Sequence, residues 1–160
     1  MSNPTPREGA IKAGEAAPDF TLKDQNKSDW SLADHVKKGD VVLAFFPFAF
    51  TGVCGTEMKC ITKELAEWSA KGAAVVGVSC DSMFTLKAWA DAEGFKHTLL
   101  SDQQRAVTKA YGIYWPDMNT TQRATIVIGK SADGRGKVKW VQTRPPGNAM
   151  NWDEVLKAIA

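Results

Sequence analysis

The sequence predicts an α/β domain with a mixed central sheet flanked by helices. Three observations point there. Two continuous apolar runs, "DVVLAFF" (Asp40–Phe46) and "AAVVGVS" (Ala73–Ser79), have the length and composition of strands buried on both faces. Between them, Met58, Ile61, Leu65 and Trp68 recur at helical spacing, with Glu and Lys in the intervening positions. Late in the chain, "ATIVIGKSADGRGKVKWVQ" reads as a strand, a Gly- and Asp-rich turn and a returning strand. Strands joined through a helix pair in parallel, whereas a hairpin is antiparallel. A parallel centre with antiparallel strands at one side follows.

Taken in order, "PDFTLKDQNKSDWSL" gives two short strands around the polar turn "KDQNKS". Ser31 is placed to cap a short helix running through Val36 and stopped at Gly39. The strand Asp40–Phe46 comes next, then a helix from Cys54 to about Ser69, then the strand Ala73–Ser79. "MFTLKAWADAEG" is a helix closed by Gly94, a residue suited to a C-terminal cap. "HTLLSD" is a short strand and "QQRAVTKAYG" a short helix. The late hairpin and the amphipathic helix "NWDEVLKAIA" complete the chain. Helices on both faces of such a sheet resemble the thioredoxin-like architecture. Residues 1–13, "MSNPTPREGAIKA", are expected to form a loose tail, with residues 14–160 as a single domain.

Composition narrows the function. With 160 residues and 44% hydrophobic content, the chain can bury a real core. The 20 basic and 18 acidic residues are interspersed, which argues against nucleic acid or an anionic membrane as partner. No run reaches the ~18 apolar residues of a membrane-spanning helix. The opening stretch lacks the apolar segment of a secretory signal. Three cysteines, an odd and low number, do not form a disulfide framework, and a reducing cytoplasm is the expected compartment. Neither they nor His35 and His97 have the spacing of a metal site, so no metal or cofactor is expected.

The chemistry concentrates at "FFPFAFTGVC" (Phe45–Cys54). In open α/β sheets, sites gather where strands end and helices begin, and Cys54 falls there. Unpaired N–H groups and the helix dipole at such a start favour a thiolate. Pro47 ends the strand, removes an N–H and fixes the loop. Thr51, three residues before Cys54, has a hydroxyl able to cap the helix or bond a substrate. The dithiol pattern C-x-x-C is absent, since Glu57 occupies its fourth position.

"PFAFTGVC" has the form P-x-x-x-T-x-x-C and resembles the active-site motif of the peroxiredoxins. "GVSCDSMFTLKAW", "LLSD", "AYGI" and "RATIVI" follow in the order found in that family. With "DFTLKDQN" and the late "PPG", the chain is most similar to the alkyl hydroperoxide reductase E group. The resemblance implies a thiol-dependent peroxidase, an antioxidant oxidoreductase acting on hydrogen peroxide and organic hydroperoxides. It implies that Cys54 is the peroxidatic thiolate and becomes a sulfenic acid. Thr51 then steers the peroxide, Arg123 holds the thiolate and the breaking O–O bond, Pro47 shields the pocket and Glu57 orients the arginine. It also implies a homodimer.

Thiolate formation alone does not make a fast peroxidase. Lowering a thiol's pKa from ~8.5 to ~6 raises its ionised fraction at pH 7 roughly thirtyfold. With a Brønsted slope of ~0.45, nucleophilicity falls roughly thirteenfold, so the net gain is about twofold. Placement and transition-state stabilisation must supply the rest.

Cys60 and Cys80 are the possible resolving cysteines. On an intact helix, six residues rise about 9 Å. Bridged cysteines need Cα atoms within ~7 Å. Members of the family with a resolving cysteine in this helix hold it five residues after the first, where this chain has Lys59. Cys80 matches no resolving position of the family and reads as a packed thiol. The leading expectation is a one-cysteine mechanism with an external reductant: thioredoxin, a glutaredoxin-like protein or a low-molecular-weight thiol. Resolution by Cys60 or Cys80, or a non-enzymatic redox sensor, are the alternatives.

Overall fold

The computed structural model describes residues 4–159. Its centre is β3 (Val41–Phe45), whose residues are all 0–2% exposed. Val41, Leu43 and Phe45 enter the core on one face; Val42 and Ala44 enter the core on the other. This two-sided burial is why the strand reads as a continuous apolar run. β3 pairs in parallel with β4 (Ala74–Ser79), and β4 in parallel with β5 (Thr98–Ser101). β8 (Arg123–Ile128) lies antiparallel on the other side of β3, followed by β9 (Val138–Arg144).

The opening hairpin, β1 (Thr21–Asp24) and β2 (Asp29–Ser31), adds to the far edge, giving the order β2-β1-β5-β4-β3-β8-β9. Its polar turn is held by the Asp24 carboxylate, which accepts the N–H groups of Asn26 and Ser28. One face is covered by α1 (Leu32–Val36) and α5 (Ala106–Ala110). The other is covered by α2 (Gly52–Lys63), α3 (Leu65–Ala70), α4 (Met83–Glu93) and α6 (Trp152–Ala158). The mixed sheet with helices on both faces is the expected architecture. Ser31 caps α1 and left-handed Gly94 closes α4, as their sequences predict. Trp68 and Trp89 are core residues, 0% and 1% exposed.

Three features depart from expectation. The single helix expected from Cys54 to Ser69 begins at Gly52 and breaks at Glu64 (φ −100°, ψ 14°). The break re-aims the chain so that Trp68 packs edge-on against Trp152 while Leu65 stays half-buried. The tail expected to be loose through residue 13 is pinned from Arg7 onward. Arg7 and Ile11 N–H groups donate to the Lys109 and Tyr111 carbonyls, and Ile11 is buried in the core, its side chain supplying apolar area a polar tail lacks. A small ribbon, β6 (Tyr114–Trp115) and β7 (Thr120–Thr121), folds around a 3₁₀ turn at Pro116–Met118. Two-residue strands leave too little alternation to be read from sequence.

Candidate active site

β3 ends where α2 begins, so the Pro47–Thr51 loop lies at the carboxyl end of the central strand. β8 runs antiparallel to β3, with Phe45 opposite Ala124. The first residue of β8, Arg123, therefore arrives beside the start of α2. This register brings together two side chains 69 residues apart: Arg123 Nη2 donates to Cys54 Sγ at 3.1 Å. Both residues are 2% exposed.

The guanidinium is held on every side. Nη1 forms an ion pair with the Glu57 carboxylate, one helical turn after Cys54. Nε and Nη2 both donate to the Pro146 carbonyl, at 3.1 and 2.9 Å. The second Glu57 oxygen accepts the Met150 N–H at 2.7 Å. Burial pushes the Glu57 carboxyl above its usual range, against the pull of Arg123 and the Met150 N–H. A planar fork meeting a carboxylate, a carbonyl and a sulfur at once is a task for arginine rather than lysine. The arrangement sets a fixed cation against the Cys54 sulfur.

Thr51 stands at the N-cap of α2 with extended backbone, yet its side chain makes no cap bond. The hydroxyl instead donates to the Phe48 carbonyl at 2.8 Å. Its oxygen lone pairs are left for another donor. The first intrahelical bond is from Gly55 N–H to Thr51 O, so helix geometry leaves the Val53 and Cys54 N–H groups without a helical acceptor. The loop before them is tightly determined. Pro47 is buried, and its carbonyl accepts the Thr120 hydroxyl at 2.7 Å. Ala49 N–H donates to Asp81 Oδ2 at 2.9 Å, and Ser79 Oγ holds the same oxygen. Phe50 sits in the left-handed region (φ 62°), an unusual conformation for a bulky residue that such anchors can sustain.

The structure thus gathers Cys54, Thr51, Pro47, Arg123 and Glu57 at one strand end. It does not bring in the other thiols. Cys60 is half-buried farther along the unbroken α2. Cys80 is buried beyond β4 with its sulfur 3.6 Å from Thr108 Oγ1, and burial pushes its thiol pKa up. Sequence reasoning missed Thr120, Asp81, Pro146 and Met150. The "PPG" at 145–147 was a partial signal for Pro146 and the "GVSCDS" segment one for Asp81; Thr120 and Met150 left none.

Residues 13–141 match the AhpC/TSA family. Alkyl hydroperoxide reductase E of Mycobacterium bovis is 33% identical over 154 residues, covering 93% of this chain and 98% of that protein. The chloroplastic 2-Cys peroxiredoxin BAS1 of Hordeum vulgare is 30% identical over 91% of this chain and 72% of its own length. Among solved structures, peroxidoxin BcpB from Mycobacterium tuberculosis superposes with a TM-score of 0.82 at 29% identity, covering 92% of this chain and 96% of that one. Matched in sequence and in sheet over nearly its whole length, the chain belongs to the AhpC/TSA family: it is a peroxiredoxin, a thiol-dependent peroxidase.

Proposed function

We propose that Cys54 reduces hydrogen peroxide and organic hydroperoxides by a one-cysteine mechanism. The observation that supports it most directly is the 3.1 Å contact from Arg123 Nη2 to Cys54 Sγ. The Cys54 thiolate attacks one peroxide oxygen along the O–O axis. The S–O bond forms, the O–O bond breaks, and the second oxygen leaves as alcohol or water after taking a proton. Sulfur is oxidised by two electrons to the sulfenic acid.

Each neighbour has a task in that step. Thr51, whose hydroxyl proton is engaged by Phe48 O, accepts the peroxide proton and steers the molecule. The Val53 and Cys54 N–H groups meet the oxygen under attack. Of the five N–H donors of a guanidinium, Pro146 O takes two, Cys54 Sγ one and Glu57 one among the described residues. The remaining Nη1 proton stabilises charge on the leaving oxygen. Glu57 and Pro146 fix the plane of the arginine, and Pro47 walls the site from bulk water.

An external thiol then completes the cycle: thioredoxin, a glutaredoxin-like protein or a low-molecular-weight thiol. It attacks the sulfenic sulfur, releasing water, and a second thiol frees Cys54 as the external disulfide forms. The unbroken α2 between Cys54 and Cys60 supports external resolution. We also place the protein in a reducing cytoplasm, which three free cysteines suit, and as a homodimer. The dimer is supported by exposed Phe50 and Phe84, 59% and 62% accessible, on the loop bearing Thr51 and the first turn of α4.

Cys54→Ser tests the assignment. Peroxide consumption is expected to disappear while the denaturation midpoint barely moves, because the swap is nearly isosteric. Rapid turnover by this variant would remove Cys54 from the mechanism.

A further inference from the structure

α2 meets a histidine that the peroxidase chemistry leaves without a task. His97, just before β5, is 2% exposed. Its Nδ1 is 2.7 Å from Thr62 Oγ1, and its Nε2 is 3.2 Å from Met58 Sδ. The same Thr62 oxygen accepts the Lys96 N–H at 3.0 Å. The arrangement that uses both ring nitrogens has the Thr62 hydroxyl donating to Nδ1 and the ring proton on Nε2, facing the Met58 sulfur. The ring is neutral, since burial lowers its pKa to about 4.

The placement of these contacts along α2 gives them meaning. Met58 lies between Cys54 and Cys60, and Thr62 lies beyond Cys60. The histidine therefore grips the helix on both sides of Cys60. Met58 is also pressed on the sheet, where a Cβ added to Gly77 would stand 2.8 Å from its sulfur. Joining the two cysteines means closing a helical rise of about 9 Å to within bridging reach. Met58 lies within the stretch between the two cysteines, so its contact with His97 opposes unwinding there.

We propose that His97 is a positioning residue for Cys54: it keeps α2 wound, so that the Cys54 sulfenic acid waits for an external thiol instead of condensing with Cys60. This rests on the one-cysteine reading given above. The reaction held back is an internal one. The Cys60 thiol attacks the Cys54 sulfenic sulfur, an S–S bond forms, the S–O bond breaks, and oxygen leaves as water with the thiol proton. The Cys60 sulfur is oxidised as the Cys54 sulfur is reduced.

Three variants test the clamp without touching the reacting residues. Thr62→Val keeps the shape and removes the hydroxyl, Thr62→Ser keeps the hydroxyl, and Met58→Leu keeps the volume and removes the sulfur. Each is oxidised with one equivalent of hydrogen peroxide and quenched at intervals with a sulfenic-acid trap. Mass spectrometry then follows the trapped Cys54 and the Cys54–Cys60 peptide, with Cys60→Ser in each background as the blank. Disulfide formation is expected to quicken about tenfold in Thr62→Val and Met58→Leu, the effect of about 1.4 kcal/mol on local opening. Amide exchange across residues 56–65 should quicken with it, and Thr62→Ser should stay within about twofold of wild type. Unchanged disulfide rates in Thr62→Val and Met58→Leu, or a Thr62→Ser as fast as Thr62→Val, would overturn the clamp. The failures are distinguishable. A wild-type chain that forms the Cys54–Cys60 bond at once removes the one-cysteine mechanism and the clamp together, whereas a trapped Cys54 sulfenic acid in wild type with unchanged rates in the variants removes the clamp alone.

Discussion

Arg123 divides its donors among a sulfur, a carboxylate and a carbonyl, and no other side chain does this with one rigid group. In Arg123→Lys the charge remains, but a point ammonium cannot face Cys54, Glu57 and Pro146 in one plane. The peroxide step should slow by at least about a hundredfold, the usual cost of losing an oriented transition-state donor. Alkylation by a small reagent such as iodoacetamide breaks no O–O bond and should slow by less than about tenfold. Stopped-flow rates for both reactions check this; equal losses would mean that the arginine tunes only the thiol.

At the scale of elements, the Pro47–Thr51 loop depends on pieces of chain far from it. Its deepest anchor is the Thr120 hydroxyl of β7 on the Pro47 carbonyl. Thr120→Val preserves the shape and leaves that carbonyl buried without its bond. The expected loss is about 1–3 kcal/mol of stability in urea titrations, with an unchanged m-value and restoration in Thr120→Ser. These anchors also explain what could be read in advance. The strands, helices and caps were legible because apolar periodicity and residues such as Ser31 and Gly94 have side-chain signatures. Cys54, Thr51 and Pro47 were legible because their spacing is itself the pattern, whereas Arg123 was singled out only by resemblance. Pro146 O, Met150 N–H and Ala49 N–H act through the main chain, which nearly every residue possesses. Such contacts leave no mark in the sequence, and a break such as that at Glu64 leaves little more.

For the molecule as a whole, the same buried histidine makes stability depend on acid. His97 has a pKa of about 4 in the fold, against ~6.5 in an unfolded chain. Between those values the unfolded chain binds more protons, so stability falls as pH drops through that window and this contribution levels off below it. The full span corresponds to about 3 kcal/mol. Urea midpoints at pH 7, 5.5 and 4.5 should therefore decline in wild type and decline less in His97→Gln, which cannot titrate. An identical slope in both proteins would assign the acid sensitivity to other groups.

The antiparallel register of β3 and β8 has a consequence in time. Cys54 must wait for Arg123, 69 residues later in the chain, and Glu57 for Met150, 93 residues later. At the usual pace of protein synthesis the second wait lasts roughly 5–20 s. Until Arg123 is added, the nascent chain presents Cys54 without its guanidinium partner. On the role proposed for Arg123, reactivity arrives only when the sheet closes, and a half-made chain on the ribosome is spared oxidation at Cys54.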